Sequence, residues 1–511
     1  MMTAACRRLA FIATLCAAVL YPAAAAHAGK ADDTLRVPAD QVLPDIDPYF
    51  NNELLGSIIG QHVWDTLVTR DAASGEFRGQ LATAWRELDG TALEFDLRRG
   101  VTFHNGQPFT ADDVVYTINL IADPASGVTN QRNVNWLKSA EKIDDYKVRI
   151  HLKAPFPPYL EYFALPIVIH PHVEYAKTGR KGQNTQPVGS GPYRITRYEP
   201  GKRIVMERNA NYYAGTPKSK ASIGTIEIRF IPDLQTQIAS LMTGDADLLM
   251  MPLPRDMAEH IERDPRLHVV SVPTMRVNFL QFNVLDSTAS PALKDVRVRQ
   301  AIAHAIDSEA IARASMGRGY ELLGAFCWRG QFGCTSEGVP RYAYDPAKAK
   351  ALLAQAGYEN GVDVVLNAFF SREAAEMIQG YLKQAGIRAS VLYEQYPVVR
   401  EKQRNGTSGM TYASWGSYSV NDVSAILPVY FGMEGDDTAR RPEIAEPILR
   451  AGRTMERAAR QRDYATALRL IGEQALVYPM FSVGRNFPAT RALDMGVQDS
   501  DRLRFWDMRW R

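Results

Sequence analysis

Between residues 82 and 116, ATAWRELDGTALEFDLRRGVTFHNGQPFTADDVVY, the spacing of apolar positions changes several times. Ala82, Trp85 and Leu88 recur at helical spacing, and Asp89-Gly90 then makes a turn. Leu93, Phe95 and Leu97 alternate with Ala92, Glu94, Asp96 and Arg98 at the period of a half-buried strand that Gly100 ends. Val101 and Phe103 predict a second strand, and His104-Asn105-Gly106 a turn. Thr110 reads as the N-cap of a helix whose first turn carries Asp112 and Asp113, where the helix dipole favours acids. The pattern therefore predicts a β-hairpin followed by a helix.

Elsewhere the pattern alternates between strand and helix. Leu35 to Val37, Ile204 to Tyr213, Ile226 to Phe230 and Asn278 to Asn283 read as strands; Gln235 to Met242 and Val296 to Asp307 read as helices. Toward the C-terminus come a helix over 345–357, a strand over 362–370, a helix over 372–385, a strand over 389–393 and a helix over 464–476. Asp345-Pro346 supplies an N-cap with Pro at the first helical position, and Gly357 a C-terminal stop. Strand and helix in alternation imply an α/β lobe with a partly parallel sheet.

The first residues change what can be counted. Arg7-Arg8, an apolar run from Leu9 to Val19 and Ala26-His27-Ala28 have the order of a secretory leader cleaved after Ala28. The apolar run is too short for a stable membrane span, and no later stretch is long and apolar enough for one. With 28 of the 511 residues removed, 483 remain, too many for one hydrophobic core. The leader takes Arg7 and Arg8 from the 59 Lys+Arg, so 57 basic residues face 57 acidic ones. That balance argues against a nucleic-acid or polybasic membrane partner. Of four cysteines only Cys327 and Cys334 reach the oxidising compartment. They read as a disulfide closing a short loop, since a metal or catalytic thiol lacks CxxC spacing or a nearby His.

Two short motifs suggest other chemistry. His170-Pro-His172-Val-Glu174 has metal-ligand residue types, but Pro171 prevents the i, i+4 helical geometry of zinc enzymes. Ser139-x-x-Lys142 and Lys177-Thr178-Gly179 match two elements of penicillin-binding acyl-transfer sites, yet no Ser-Asp-Asn lies between them.

Ala82, Trp85, Asp89-Gly90, Phe95-x-Leu97-Arg98-x-Gly100-Val101-x-Phe103-His104-Asn105-Gly106 and Thr110-Ala111-Asp112-Asp113-Val114 together resemble the signature of the peptide/nickel (family 5) solute-binding proteins of bacterial ABC importers. Gly189-x-Gly191-Pro192-Tyr193 before a strand, Gly244-x-x-Asp247 and the helix from Val296 are similar to the same family. The resemblance implies an α/β, two-lobed periplasmic-binding-protein (Venus-flytrap) fold with an additional small domain. The first lobe would comprise 29–70, 187–272 and 484–511, the small domain 71–186, and the second lobe 273–483. It further implies a monomeric periplasmic protein, without cofactor or catalysis, that binds oligopeptides or peptide-like solutes between its lobes. A membrane permease with its ATPases would be the partner.

The resemblance also suggests ligand-binding residues. Asp47-Pro48 matches a loop at the cleft mouth, where Asn51 and Asn52 offer donors and acceptors; an ordinary capped helix start is the other reading. Trp415 matches the strand that enters the cleft, and Tyr418 stands where peptide binders carry an Asp for the ligand ammonium. Asp422 could replace that Asp, with Asn421 beside it. Trp415, Tyr418 and Tyr430 could sandwich a ligand, although Tyr430 also reads as core. Arg404 stands where some members hold an anionic ligand end, or is a solvated surface arginine. Trp415-Gly416 and Tyr418 equally resemble nickel-type members; His304 is the last histidine, so imidazole ligation from this loop is excluded. A non-peptide ligand (metal chelate, opine or oligosaccharide) on the same fold is the alternative. A sensor or chaperone on this fold, or a secreted hydrolase using Ser139 and Lys142, are the rivals.

Overall fold

The computed structural model describes residues 29–511 except 73, 252, 254, 418 and 419, and the backbone alone of residue 273. The expected leader, 1–28, lies outside the described residues.

Three sheets organise the chain. In the first, Thr34–Ala39 pairs in parallel with Thr225–Phe230, followed in order by Arg203–Arg208 and Tyr193–Glu199. Its edge strand comes from the N-terminus and its other strands from beyond residue 190, so this layer is assembled from discontinuous segments.

The second sheet has the order Ala82–Glu87, Ala92–Leu97, Lys147–Leu152, Leu137–Asp144, all antiparallel. Here the expectation of a helix over Ala82, Trp85 and Leu88 is corrected. The stretch is a strand that turns back at Asp89-Gly90, with Gly90 at φ 78°, and pairs Trp85 with Phe95. A segment this short cannot sustain an isolated helix, whereas the turn offers it a ready ladder. Leu88 is left exposed at the turn. Conversely, Val101 to Phe103 forms no strand: both residues are buried in a tight loop closed by the Phe103 N–H on the Gln107 carbonyl. The helix follows as expected over Ala111–Ala122, and the Asp113 carboxylate accepts the Thr110 N–H at 2.8 Å.

The third sheet has six strands, ordered Glu321–Leu322, Val477–Thr490, Leu267–Phe282, Met410–Trp415, Val362–Ala368, Ile387–Tyr393. The last three are mutually parallel, with helices Pro346–Gln355 and Arg372–Gln384 between strands. The strands of 16 and 14 residues, Leu267–Phe282 and Val477–Thr490, form the spine of the molecule. One end of their ladder, Leu267 opposite Thr490, lies beside a bridge from Leu248 to Ala489. At the other end Leu267–Phe282 pairs with Met410–Trp415. Between them the register breaks from Pro273 to Val277. Such an irregularity bends the ribbon and re-aims side chains.

The cores divide accordingly. One contiguous apolar cluster holds Leu35, Val37 and Ile226 of the first sheet together with Phe95 and Ile150 of the second. Two others fill the opposite lobe, around Leu366, Ile378 and Ile387 and around Phe279, Phe326 and Tyr464.

Candidate ligand cleft

Where the two long strands lose register, a cleft of about 770 Å³ opens between the lobes. One wall is built from Asn52, Glu53, Leu54 and Ser57 at the start of helix Leu54–Val63, with Leu165 and Pro166. Facing it stand Phe369, Tyr396 and Trp415. These aromatics share a structural origin: Val362–Ala368, Ile387–Tyr393 and Met410–Trp415 are parallel, and each aromatic sits at or just beyond a strand's C-terminal end. Ligands of open α/β sheets bind at that end. Trp415 is held in place by its Nε1–H on the Ala425 carbonyl at 3.2 Å and by edge contact with Tyr430, ring centres 5.7 Å apart.

The floor is charged. Arg276 projects from the irregular stretch of one long strand, Arg485 from the other, and Asp501 and Arg502 from the C-terminal segment. Arg485 Nε lies 3.4 Å from Asp501. Gly416 leaves room for Arg276, since a Cβ there would come within 3.1 Å of its Nη2. Behind Arg502 lies a narrow polar chamber of about 60 Å³. There Arg70 and Arg504 share Asp499 at 3.7 and 2.7 Å, and Lys218 pairs with the buried Asp65 at 2.9 Å. Glu161, in the same chamber, accepts the Asn421 N–H at 3.3 Å; burial pushes its carboxyl up to about 7. A separate cavity of about 290 Å³ lies inside the second lobe, walled by side chains such as Leu323, Phe326 and Met480. It offers few polar groups to orient a solute, so the interlobe cleft is the candidate site.

The model of the bacterial extracellular solute-binding proteins, family 5 (middle), matches residues 76–437. The chain belongs to this family. It is similar to heme-binding protein A of Haemophilus influenzae, at 28% identity over 404 residues covering 72% of this chain and 71% of that one. It is also similar to the dipeptide-binding protein of Escherichia coli, at 26% over 388 residues covering 69% and 70%. The structure of HbpA2 from Haemophilus parasuis superposes with a TM-score of 0.82 at 24% identity, covering 94% of this chain and all of that one, 100%. The fold is thus the two-lobed α/β fold of periplasmic binding proteins.

Within this solute-binding protein, the residues expected at the site from sequence separate. Trp415 and Asn52 line the cleft. Asn51 does not: its amide donates to the Asp45 carbonyl at 2.7 Å and its oxygen accepts the Glu53 N–H at 2.6 Å, so it organises the helix start. Asp47, expected at the cleft mouth, is fully buried, accepting from Tyr175 Oη at 2.7 Å and from the Tyr49 N–H at 3.1 Å. Asp422 is buried too. One oxygen accepts from Arg460 at 2.7 Å and the other from the Ser424 N–H at 2.9 Å, so it is committed away from the cleft. Asn421 is buried beside it. Arg404 pairs with Asp436 at 3.2 Å, outside the cleft lining. Tyr430 is core, packed against Phe279 and Phe326, and Tyr418 lies outside the described residues.

Sequence reasoning missed Phe369, Tyr396, Arg276, Arg485 and Arg502. Of these only Tyr396 carried a local signal, following the end of the strand predicted over 389–393; Phe369 fell inside the strand predicted over 362–370, and the three arginines lie on segments that no local pattern joins.

The stretches that carry the family signature meet each other rather than the cleft. The His104 N–H donates to the Gly189 carbonyl at 2.8 Å, and its Nε2 lies 3.0 Å from the Gly191 carbonyl. Gly189 and Gly191 press on helix Leu54–Val63, where a Cβ would come within 1.9 Å of the Val63 carbonyl and 2.2 Å of the His62 carbonyl. The signature thus describes a junction between the first two sheets.

The two lures also have places. His170 is buried among Tyr49, Trp64 and Tyr175, while His172 Nδ1 lies 2.8 Å from Asp113. Among the described residues no group of three His, Cys, Asp or Glu could hold a metal. Ser139 and Lys142 lie on strand Leu137–Asp144, where a spacing of three does not bring side chains to one face. Lys142 is bound by Asp112 and Asp145 at 2.9 and 2.8 Å, which raises its pKa rather than preparing a base.

Proposed function

We propose that this chain is the periplasmic substrate-binding component of an ABC-type importer, taking peptides or peptide-like solutes into the interlobe cleft and presenting the closed, loaded form to a membrane permease. The observation that carries the reading is the cleft itself: about 770 Å³, aromatic on one wall and polar on the other, opening where the spine strands bend. That volume suits a ligand of a few residues. Family membership and a relative named as a dipeptide-binding protein support it. The lobes would comprise 29–70, 187–272 and 484–511 on one side and 273–483 on the other, with 71–186 as the added domain. The protein acts as a monomer released by its leader. Trp415 and Asn52 contact the solute. Solute binding shifts a hinge equilibrium toward the closed form, and the protein performs no chemistry of its own.

A second reading keeps the fold and changes the solute to a metal chelate, an opine or an oligosaccharide. The pairing of Asp422 with Arg460 favours it, because the acid of the loop expected to take a peptide ammonium is already engaged. A thermal-shift screen separates the two, since a ligand that binds only the native state raises its midpoint. Peptides are expected to raise it. A panel in which a non-peptide does so and no peptide does would remove the peptide reading.

A further inference from the structure

The cleft floor carries more positive charge than its own acids neutralise. Asp501 is in contact with Arg485, at 3.4 Å. No carboxylate of the described residues stands within 4.0 Å of Arg276 or Arg502. Arg502 Nε is buried with no hydrogen-bond partner among the described residues. Its neighbours behind the wall are already satisfied, as Arg70 and Arg504 share Asp499. Burial lowers the pKa of both Arg276 and Arg502, while Asp501 acts on each in the opposite direction. Arg276 is exposed to the cleft and Arg502 is half-buried with its Nε covered, so both guanidinium groups are open to a charged partner entering the cleft, which offsets the cost of covering them.

We propose that Arg276 and Arg502 form an anion site on the cleft floor that takes a carboxylate of the bound solute. The inference rests on the cleft being the solute site. A planar guanidinium matches a carboxylate through paired N–H donors, a geometry that an ammonium cannot reproduce. The position adds a mechanical role. Arg276 rides on the irregular stretch of one spine strand and its guanidinium lies against Gly416 of the second lobe, whereas Arg502 belongs to the C-terminal segment. An anion between them ties the hinge, the aromatic wall and the C-terminal segment together, so the solute's charge favours closure.

The test uses the mature chain, with succinate and trialanine as carboxylate probes and succinamide and trialanine amide as their counterparts without a carboxylate. Sodium succinate should raise the thermal midpoint of the wild type by several degrees more than sodium chloride of equal ionic strength, and succinamide should not. Arg276→Gln and Arg502→Gln should lose at least half of that increment. Their ligand-free midpoints should hold or rise, because each removes an uncompensated charge. Arg502→Lys, which keeps the charge without the planar fork, should fall between. An increment unchanged in both Gln variants, or ligand-free midpoints that drop in both, would overturn the proposal and make these arginines structural. If trialanine and its amide shift the wild type equally, the anion site fails while the peptide reading stands. If neither does, yet the succinate increment still depends on the arginines, the site stands and the peptide reading fails.

Discussion

Asp422 shows how far a single residue can be read from its neighbours in the chain. Its position after Trp415 suggests an acceptor for a ligand ammonium, but the partner that fixes its role, Arg460, lies 38 residues further on in another helix. Both side chains are almost fully buried, at 4% and 5% exposure. Removing one partner of such a pair leaves the other uncompensated, so Asp422→Asn should destabilise the protein by about 3–5 kcal/mol in denaturant titration, with or without solute. A variant of unchanged stability that only loses amine-bearing solutes would return Asp422 to the site. Glu161 was silent in the sequence because its pKa is set by burial. The carboxyl, pushed up to about 7 from an ordinary 4.5, keeps in the folded state a proton that the unfolded chain has lost between those values. Its stabilising contribution is therefore full below about 4.5 and is lost as pH rises through about 7. Glu161→Gln removes this dependence, so its midpoint should gain on the wild type between pH 5 and pH 8. A difference constant with pH would show that Glu161 does not titrate there. Asp247, raised to about 6, acts in the same sense, and His62, lowered to about 3, in the opposite one; both are common to the two proteins and cancel.

The elements repeat this division between local and distant determinants. The helix capped by Thr110 and the turn at Asp89-Gly90 were legible because capping and turn chemistry act within a few residues, although the hairpin was expected across Gly100 and forms across Asp89-Gly90 instead. Ala82–Glu87 was misread as helix because its spacing fits either element, and only the pairing with Ala92–Leu97 decides. The cysteine loop was legible as a loop but not as a brace. Cys327 and Cys334 are disulfide-bonded, with Cα atoms 5.7 Å apart. Inside the loop, Phe332 exchanges backbone hydrogen bonds with Asn421 and Val423 at 2.9 and 3.1 Å, and the Gln331 amide donates to the Val420 carbonyl at 3.0 Å. The disulfide thus stiffens the segment that follows Trp415. For a loop of this length, Cys327→Ser with Cys334→Ser should cost about 2–3 kcal/mol. It should also increase amide hydrogen exchange over 420–423 while leaving the Ala82–Leu97 hairpin unchanged. Uniform exchange throughout would contradict a local brace.

For the whole molecule, the strand-helix alternation of residues 345–393 gave the partly parallel sheet directly, and the signature gave the family. The cleft was legible only at Trp415 and Asn52. Its charged floor is contributed by segments more than 200 residues apart, Arg276 and Arg485 on the bent spine strands and Arg502 beyond them. No local pattern encodes that meeting. The same two strands run between the first lobe and the second, and the signature that names the family sits at a junction outside the cleft lining. Family and ligand are therefore separate questions, and the second is decided in the cleft. Titration calorimetry of the mature protein with di- and tripeptides, repeated on Trp415→Ala, addresses it most directly. At least one peptide should bind one to one, and loss of the indole from the aromatic wall should weaken it by about 2 kcal/mol, roughly thirtyfold. Absence of binding across the peptides, or an affinity that Trp415→Ala leaves unchanged, would contradict a peptide bound in this cleft.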